Sequence, residues 1–231
     1  GYPERKQKFV NESGKAYEEI GFVALKGHFL DEKLVDDLYQ EVKQFFELPV
    51  EKKQKYEIPG IGGQRGYVGF GKETAKGFKK GDLKEFWHFG QYLEPGSKYE
   101  EVYPDNVEVS ENPKFNVVGK EAFKMLEKTG IYVLRALALH LGLDEFYFDK
   151  FVGEGNSILR PIHYPPITEE PDNAVRAAAH GDINLITLLM GAQGKGLQVM
   201  NHDGEWVDAI AEPDELMINV GDMLSRHTNN K

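Results

Sequence analysis

From Gly155 onward the chain is a succession of short apolar runs cut by turn residues, a texture that reads as strands packed around a core. Ser157 to Tyr164, Ala177 to Leu189, Leu197 to Met200, Trp206 to Ile210 and Leu216 to Val220 read as strands, divided by Pro165-Pro166, Gly194-Lys195-Gly196, Asp203-Gly204 and Pro213-Asp214. That spacing predicts a barrel or jelly roll. The part before Gly155 is written in a different period. Phe9, Ala16, Tyr17 and Ile20 fall at helical spacing, and the run Phe22 to Leu25 follows Gly21 as a strand follows a helix stop. Asp31 can cap a second helix whose Leu34, Leu38, Val42, Phe45 and Phe46 form one stripe, ended by Pro49, and core packing is the ordinary use of such a stripe. Between Pro113 and Leu143, the positions Phe115, Val118, Ala122, Phe123, Leu126, Val133, Leu137 and Leu141 describe a long amphipathic helix against which a sheet would pack. Lys84 to Gly90 alternates as a strand. Residues 59 to 81 are glycine-rich and read as a loop; they lack G-x-x-x-x-G-K-[ST], and the G-x-G-x-x-G spacing fails at Gly60 and Gly69, which argues against a nucleotide site.

No internal repeat and no convincing linker divides the chain, so a single domain over 1–231 is expected. Asp and Glu outnumber Lys and Arg by 38 to 28, so the formal charge is -10 and nothing draws the chain to phosphate backbones or anionic membranes. The absence of Cys excludes disulfides, thiolate metal sites and a Cys nucleophile. The most apolar stretch, Ile131 to Leu143, is interrupted by Arg135 and His140 and is shorter than the roughly 20 residues that cross a bilayer. The opening Gly1-Tyr2-Pro3-Glu4-Arg5-Lys6 has no apolar signal-peptide core. A soluble, cytoplasmic protein acting on a small molecule, with no nucleic-acid or membrane partner, is the expectation.

The sharpest chemical feature is His180-Gly181-Asp182, set between Ala177-Ala178-Ala179 and the run Ile183 to Thr187. Two residues apart on an extended chain, His180 and Asp182 project to one face and aim an imidazole and a carboxylate into one cavity. A second His from another strand would complete the facial arrangement of non-haem iron(II) oxygenases, which leaves coordination positions open. Alone, the spacing is weak evidence, because a His-Asp pair is more often a structural hydrogen bond. The surroundings carry the weight.

Four segments stand in order along the chain: Ala16-Tyr17-Glu18-Glu19-Ile20-Gly21-Phe22, Ile162-His163-Tyr164-Pro165-Pro166, the His180-Gly181-Asp182 segment with Leu185-Ile186-Thr187-Leu188-Leu189, and Asn219-Val220-Gly221-Asp222-Met223-Leu224 leading to Thr228-Asn229-Asn230. With them the chain resembles, over nearly its whole length, the isopenicillin N synthase-like branch of 2-oxoglutarate- and iron(II)-dependent dioxygenases. The resemblance implies an α+β, mainly β fold: a double-stranded β-helix, cupin-like, with an α-helical N-terminal region and a long supporting helix. Residues 1–110 would form the N-terminal region with substrate loops, 111–154 the supporting helices, and 155–231 the jelly-roll core, truncated at its C-terminus. It implies iron held by His180, Asp182 and a distal His expected beyond Lys231, with 2-oxoglutarate as co-substrate and dioxygen as oxidant. The R-x-S pair that grips 2-oxoglutarate would lie further on.

Tyr164 matches the family tyrosine that holds 2-oxoglutarate. The Asn usual two residues before it is Ile162 here, and Arg160 could supply a compensating charge. Arg65, Tyr67, Trp87 and Phe89 are candidates for the prime substrate, since a cationic fork and aromatic faces suit an acid or an aromatic compound; Trp87 and Phe89, two apart, read equally as ordinary core. His227 and His202 are read as packing or surface residues rather than as the third ligand. The activity implied is oxidation, by default hydroxylation, of a small organic molecule with release of succinate and carbon dioxide. The alternatives are an iron oxidase of the same fold that does not use 2-oxoglutarate, and a non-catalytic binding protein on the same scaffold.

Overall fold

The computed structural model describes residues 2–73, 82–166, 180–191, 196–201 and 203–230. In chain order the elements are α1 (Tyr2–Ile20), β1 (Phe22–Lys26), α2 (Glu32–Phe46), α3 (Val50–Lys53), β2 (Gly66–Val68), β3 (Glu85–Gly90), α4 (Pro113–His140), α5 (Asp149–Val152), β4 (Ile158–Leu159), β5 (Ile162–His163), β6 (Ile186–Leu189), β7 (Gln198–Met200), β8 (Trp206–Asp208), β9 (Glu215–Val220) and α6 (Asp222–His227). They gather into two compact units, one of residues 1–31, 125–153 and 181–231 and the other of 32–124 and 154–180.

The first unit is built on an antiparallel sheet ordered β1-β9-β6, with Phe22 opposite Asn219 and Thr187 opposite the same Asn219. β9 is the central strand, and its Leu216, Met217 and Ile218 are buried. α1 ends where Gly21, at φ 77°, returns its N–H to the carbonyl of Tyr17, a left-handed stop that suits glycine. α1 approaches the C-terminal part of α4 closely enough that a Cβ on Gly14 would collide with the His140 ring, and that ring meets Glu18 at 3.0 Å. β7 and β8 form a separate hairpin closed around Asn201 to Glu205.

In the second unit β3 is central, pairing with β2, β4 and β5. Its core is an aromatic cluster of Phe45, Phe46, Tyr56, Tyr67, Trp87, Phe89, Phe115 and Phe123 with Val109. The expected stripe of α2 supplies Leu34, Leu38, Phe45 and Phe46 as buried residues, and α4 supplies Phe115, Val118, Ala122 and Phe123. Gly119, within α4, lies so close to the Phe89 ring that a Cβ there would overlap it.

Four expectations are corrected. The glycine-rich segment is not all loop, because Gly66–Val68 is a strand on β3; Gly66 takes φ 74° where it meets the carbonyl of Tyr56, a conformation that glycine adopts without strain. The strand expected over Ser157 to Tyr164 is broken in two at Arg160-Pro161, since Pro161 has no N–H for a ladder, although its carbonyl accepts from Trp87 N at 3.0 Å. The strand expected over Ala177 to Leu189 begins only at Ile186, with 177–179 outside the described residues. The carbonyls of Asp182, Ile183, Asn184 and Leu185 are taken by the N–H groups of Gly221, Asp222 and Met223 at the head of α6, so no strand can pair there. Finally, helix outweighs strand among the described residues, because the strands are only two to six residues long. The architecture is mixed α/β, with N-terminal helices and the long α4, rather than mainly β.

Candidate active site

The two faces of β3 sort the expected site residues. Side chains alternate along a strand, so Glu85, Trp87 and Phe89 share one face and Phe86, His88 and Gly90 the other. Trp87 and Phe89 are 0% and 1% exposed, and both pack against Phe115, at ring centroid distances of 5.2 and 5.1 Å. They are core, not substrate contacts, because no surface of either ring is left to hold a ligand. Tyr67 sits opposite Trp87 in the same cluster, and its hydroxyl donates to Glu85. Burial, with Glu85 beside it, raises the Tyr67 pKa.

Arg65 is also fully buried. Its Nη1 donates to the carbonyl of Gln64 at 2.8 Å and its Nη2 to Asn156 Oδ1 at 3.1 Å, while Nε has no partner. Its guanidinium occupies the space a Cβ would fill at Gly90, and burial pulls its pKa below the ordinary arginine value. All four expected substrate residues are therefore packed inside the second unit.

Glu85 collects four hydrogen bonds: two from Lys53 Nζ at 2.9 and 2.8 Å, one from Tyr67, and one from His163 Nδ1 at 2.8 Å. Burial alone would raise its pKa, but these donors outweigh that and hold it below the ordinary glutamate value.

On the opposite face of β3, His88 lies between two groups that fix its tautomer. Nδ1 is 2.6 Å from the carbonyl of Gly63, which can only accept, so Nδ1 carries the proton and Nε2 accepts from Arg160 Nε at 2.6 Å. Burial first, and then the Arg160 charge, lower the His88 pKa to about 4, so the ring is neutral near pH 7. Arg160 also lies over the Phe86 ring at 4.4 Å and meets both oxygens of Glu73 at 3.2 and 3.3 Å. Its charge is thus shared with a protein carboxylate. Tyr164 follows β5 directly and is 36% exposed; by alternation it shares the side of Ile162, opposite His163.

His180 is exposed and closes the second unit, and Asp182 is half-buried in the first. Asp182 Oδ2 accepts from Asn219 Nδ2 at 2.9 Å and from Thr187 Oγ1. Thr187 and Asn219 are register partners on β6 and β9, so the ladder itself delivers both donors to one carboxylate oxygen. Neither residue was singled out from the sequence as part of the site, although both lie in segments that carry the resemblance. An imidazole and an oriented carboxylate suit a divalent iron ion, and hydrogen bonds that fix a ligating carboxylate are a regular part of such sites. Among the described residues, no three His, Cys, Asp or Glu side chains gather as a metal cluster. His227 is exposed at the end of α6, and its ring packs on Tyr147, Phe148 and Phe151 with Tyr147 Oη 2.9 Å from Nε2. His202 lies outside the described residues.

Two family models match this arrangement: the non-haem dioxygenase in morphine synthesis N-terminal region over residues 2–111, and the 2OG-Fe(II) oxygenase superfamily over residues 155–231. The chain belongs to the 2OG-Fe(II) oxygenase superfamily. As such it is an oxidoreductase of the 2-oxoglutarate-dependent dioxygenase class, a class that implies iron(II) and 2-oxoglutarate. Homoarginine-6-hydroxylase 2-ODD-C23.1 of Arabidopsis thaliana is 31% identical over 93% of this chain and 67% of its own length. A crystal structure of a 2OG-Fe(II) oxygenase family protein from Caulobacter crescentus shares the fold with a TM-score of 0.90 and 44% identity, over 99% of this chain and 74% of that one. A full-length Neurospora crassa protein, solved in complex with alpha-KG, matches with a TM-score of 0.80 and 30% identity, over 96% of this chain and 67% of that one. No helix among the described residues of this oxygenase is long and apolar enough to cross a membrane.

Proposed function

We infer that the protein hydroxylates a small organic molecule with dioxygen, one oxygen atom going to the product and the other to succinate as 2-oxoglutarate loses carbon dioxide. The observation that carries this reading is the Asp182 carboxylate, held by Asn219 and Thr187 two residues from His180. His180 and Asp182 are the two iron ligands within this sequence, and the resemblance implies a further histidine from beyond Lys231. Bound iron with 2-oxoglutarate supplies the oxidant for a C–H bond. The chain's own residues bind and orient around it. Asn219 and Thr187 fix one carboxylate oxygen, so that ligand geometry is not left to side-chain rotation. Tyr164 would donate a hydrogen bond to a 2-oxoglutarate carboxylate, and Arg160, steadied by His88 and Glu73, would add positive charge from the same segment. Arg65 and Tyr67 support the substrate side from within the second unit rather than by surface contact.

This reading favours one catalytic domain and a soluble, cytoplasmic enzyme. Homoarginine-6-hydroxylases and the proline hydroxylase buaE of Petromyces alliaceus are among its relatives, at 29 to 31% identity, which supports hydroxylation as the outcome and a small molecule as the substrate class. The test is release of carbon dioxide from labelled 2-oxoglutarate by the intact enzyme with iron(II) and ascorbate. Turnover that disappears in both His180→Ala and Asp182→Ala is expected. Turnover that survives in either variant, or none in the parent with any substrate or uncoupled, rules against it.

A further inference from the structure

We propose that His163 is the positioning residue for Tyr164, acting from the opposite face of the same segment through the buried Glu85 carboxylate. The inference rests on the reading that Tyr164 donates to 2-oxoglutarate.

β5 is only two residues long, and its ladder consists of Ile162 opposite Phe86 and His163 opposite Glu85. So short a strand holds its orientation poorly by backbone pairing alone. Two features supply the rest. After Tyr164 comes Pro165-Pro166, which confines Tyr164 to extended backbone and stiffens the exit from the strand. Before it, the His163 ring is clamped from two directions. Nδ1 lies 2.8 Å from Glu85 Oε1, and because a carboxylate can only accept, Nδ1 carries the proton. The ring face stacks on Phe46, with centroids 5.3 Å apart and planes 27° apart.

Glu85 is itself held from several sides. It is 6% exposed, and it is held at both oxygens by Lys53, at one of them also by Tyr67. Side chains alternate along extended chain, so a ring pinned on one face fixes where the next side chain emerges on the other. With His163 clamped behind and Pro165 restricting the backbone ahead, the freedom left to Tyr164 is its own side-chain torsions. That is the pre-organisation a phenol needs to meet a carboxylate without an ordering penalty at each binding event.

The readout is the 2-oxoglutarate dissociation constant of the intact enzyme loaded with Mn(II), measured by anaerobic calorimetry, beside kcat and KM for 2-oxoglutarate. Tyr164→Phe is expected to weaken 2-oxoglutarate about tenfold, the loss of one hydrogen bond to a charged group. His163→Phe keeps the ring on Phe46, loses the donor, and is expected to weaken binding by a similar factor with kcat at saturation nearly unchanged. The double variant should be no weaker than Tyr164→Phe alone, within about twofold, because both changes act on one contact. His163→Asn, whose amide nitrogen stands where Nδ1 stood, should restore parental affinity, and His163→Gln, which displaces the donor, should not.

If Tyr164→Phe has no effect, the assignment of Tyr164 fails and the proposal with it. If Tyr164→Phe weakens binding but His163→Phe does not, or the double variant multiplies the two losses, the proposal alone is overturned. Should His163→Phe not fold, the Asn and Gln variants decide: equal affinities in the two overturn the proposal, and a weaker Gln variant supports it.

Discussion

Lys53→Met should destabilise the protein by an amount set by pH. Lys53 and Glu85 are 5% and 6% exposed at their side chains, and Lys53 Nζ directs its donors to both Glu85 oxygens and to the carbonyl of Phe46 at 3.0 Å. Methionine preserves most of the stem and removes the charge. Glu85 then has two courses. It can stay ionised with only Tyr67 and His163 as donors, which leaves a broken buried pair and costs about 3–5 kcal/mol. Alternatively it can take up a proton, which from an ordinary glutamate value near 4.3 costs about 3.7 kcal/mol at pH 7 and about 1 kcal/mol at pH 5.

The less costly course sets the loss, so about 3–4 kcal/mol is expected at pH 7 and about 1 kcal/mol at pH 5. In the parent, the lowered Glu85 pKa means that its stabilisation is complete above about 4.3 and is lost only as pH falls below that value toward the folded pKa. The contrast between pH 7 and pH 5 therefore belongs to the variant. Urea unfolding followed by the fluorescence of the buried Trp87 measures both. A loss below about 1 kcal/mol at pH 7, or an equal loss at the two pH values, would refute the reasoning. Lys53→Met with Glu85→Gln should recover most of the loss, because an uncharged amide needs no counter-ion.

Asn219→Ala should lower metal affinity about 10- to 100-fold while leaving the fold intact, since it removes one of the donors that orient Asp182; Mn(II) titration by electron paramagnetic resonance reads this directly. Gly119→Ala should lower the melting temperature although alanine is the better helix former by about 1 kcal/mol, because its Cβ would overlap Phe89, which is 1% exposed and has nowhere to go. His88 titrates near 4 in the folded chain against about 6.5 unfolded, so the unfolded state binds the extra proton between those values and stability falls as pH drops through that window. His88→Asn, which retains a donor toward Gly63, should flatten the slope of unfolding free energy against pH there by up to about 1.4 kcal/mol per unit; an unchanged slope would show that His88 does not carry it.

Much was legible along the chain. Helical period in α1, α2 and α4, the stop at Gly21 and the break at Pro49 are local signals, written in spacing and in residues whose backbone is restricted or unusually free. The order of the four segments was enough to point to the oxygenase family and to His180 and Asp182. What the sequence could not supply was anything that depends on which strand lies beside which. Alternation along Glu85 to Gly90 shows that the strand has two faces, but not which of them meets the aromatic core. Trp87 and Phe89 read from the sequence either as ligand contacts or as core, and they fill the space between α2 and α4, while His88 and Phe86 take the other side with Arg160.

Pairing also decides the surroundings of each chemical group. Asp182 and Thr187 are near in sequence, but Asn219 reaches the same oxygen only because β6 and β9 set Thr187 opposite it. Glu85 and Lys53 are 32 residues apart, and only the packing of α3 on β3 joins them. The sequence by itself determined the three long helices and offered His180 and Asp182 as a candidate metal-binding pair, because periodicity and motif order are local. Tertiary structure alone decided which side chains are core and which hold others in place, because burial and register are properties of neighbours that the chain brings together only on folding.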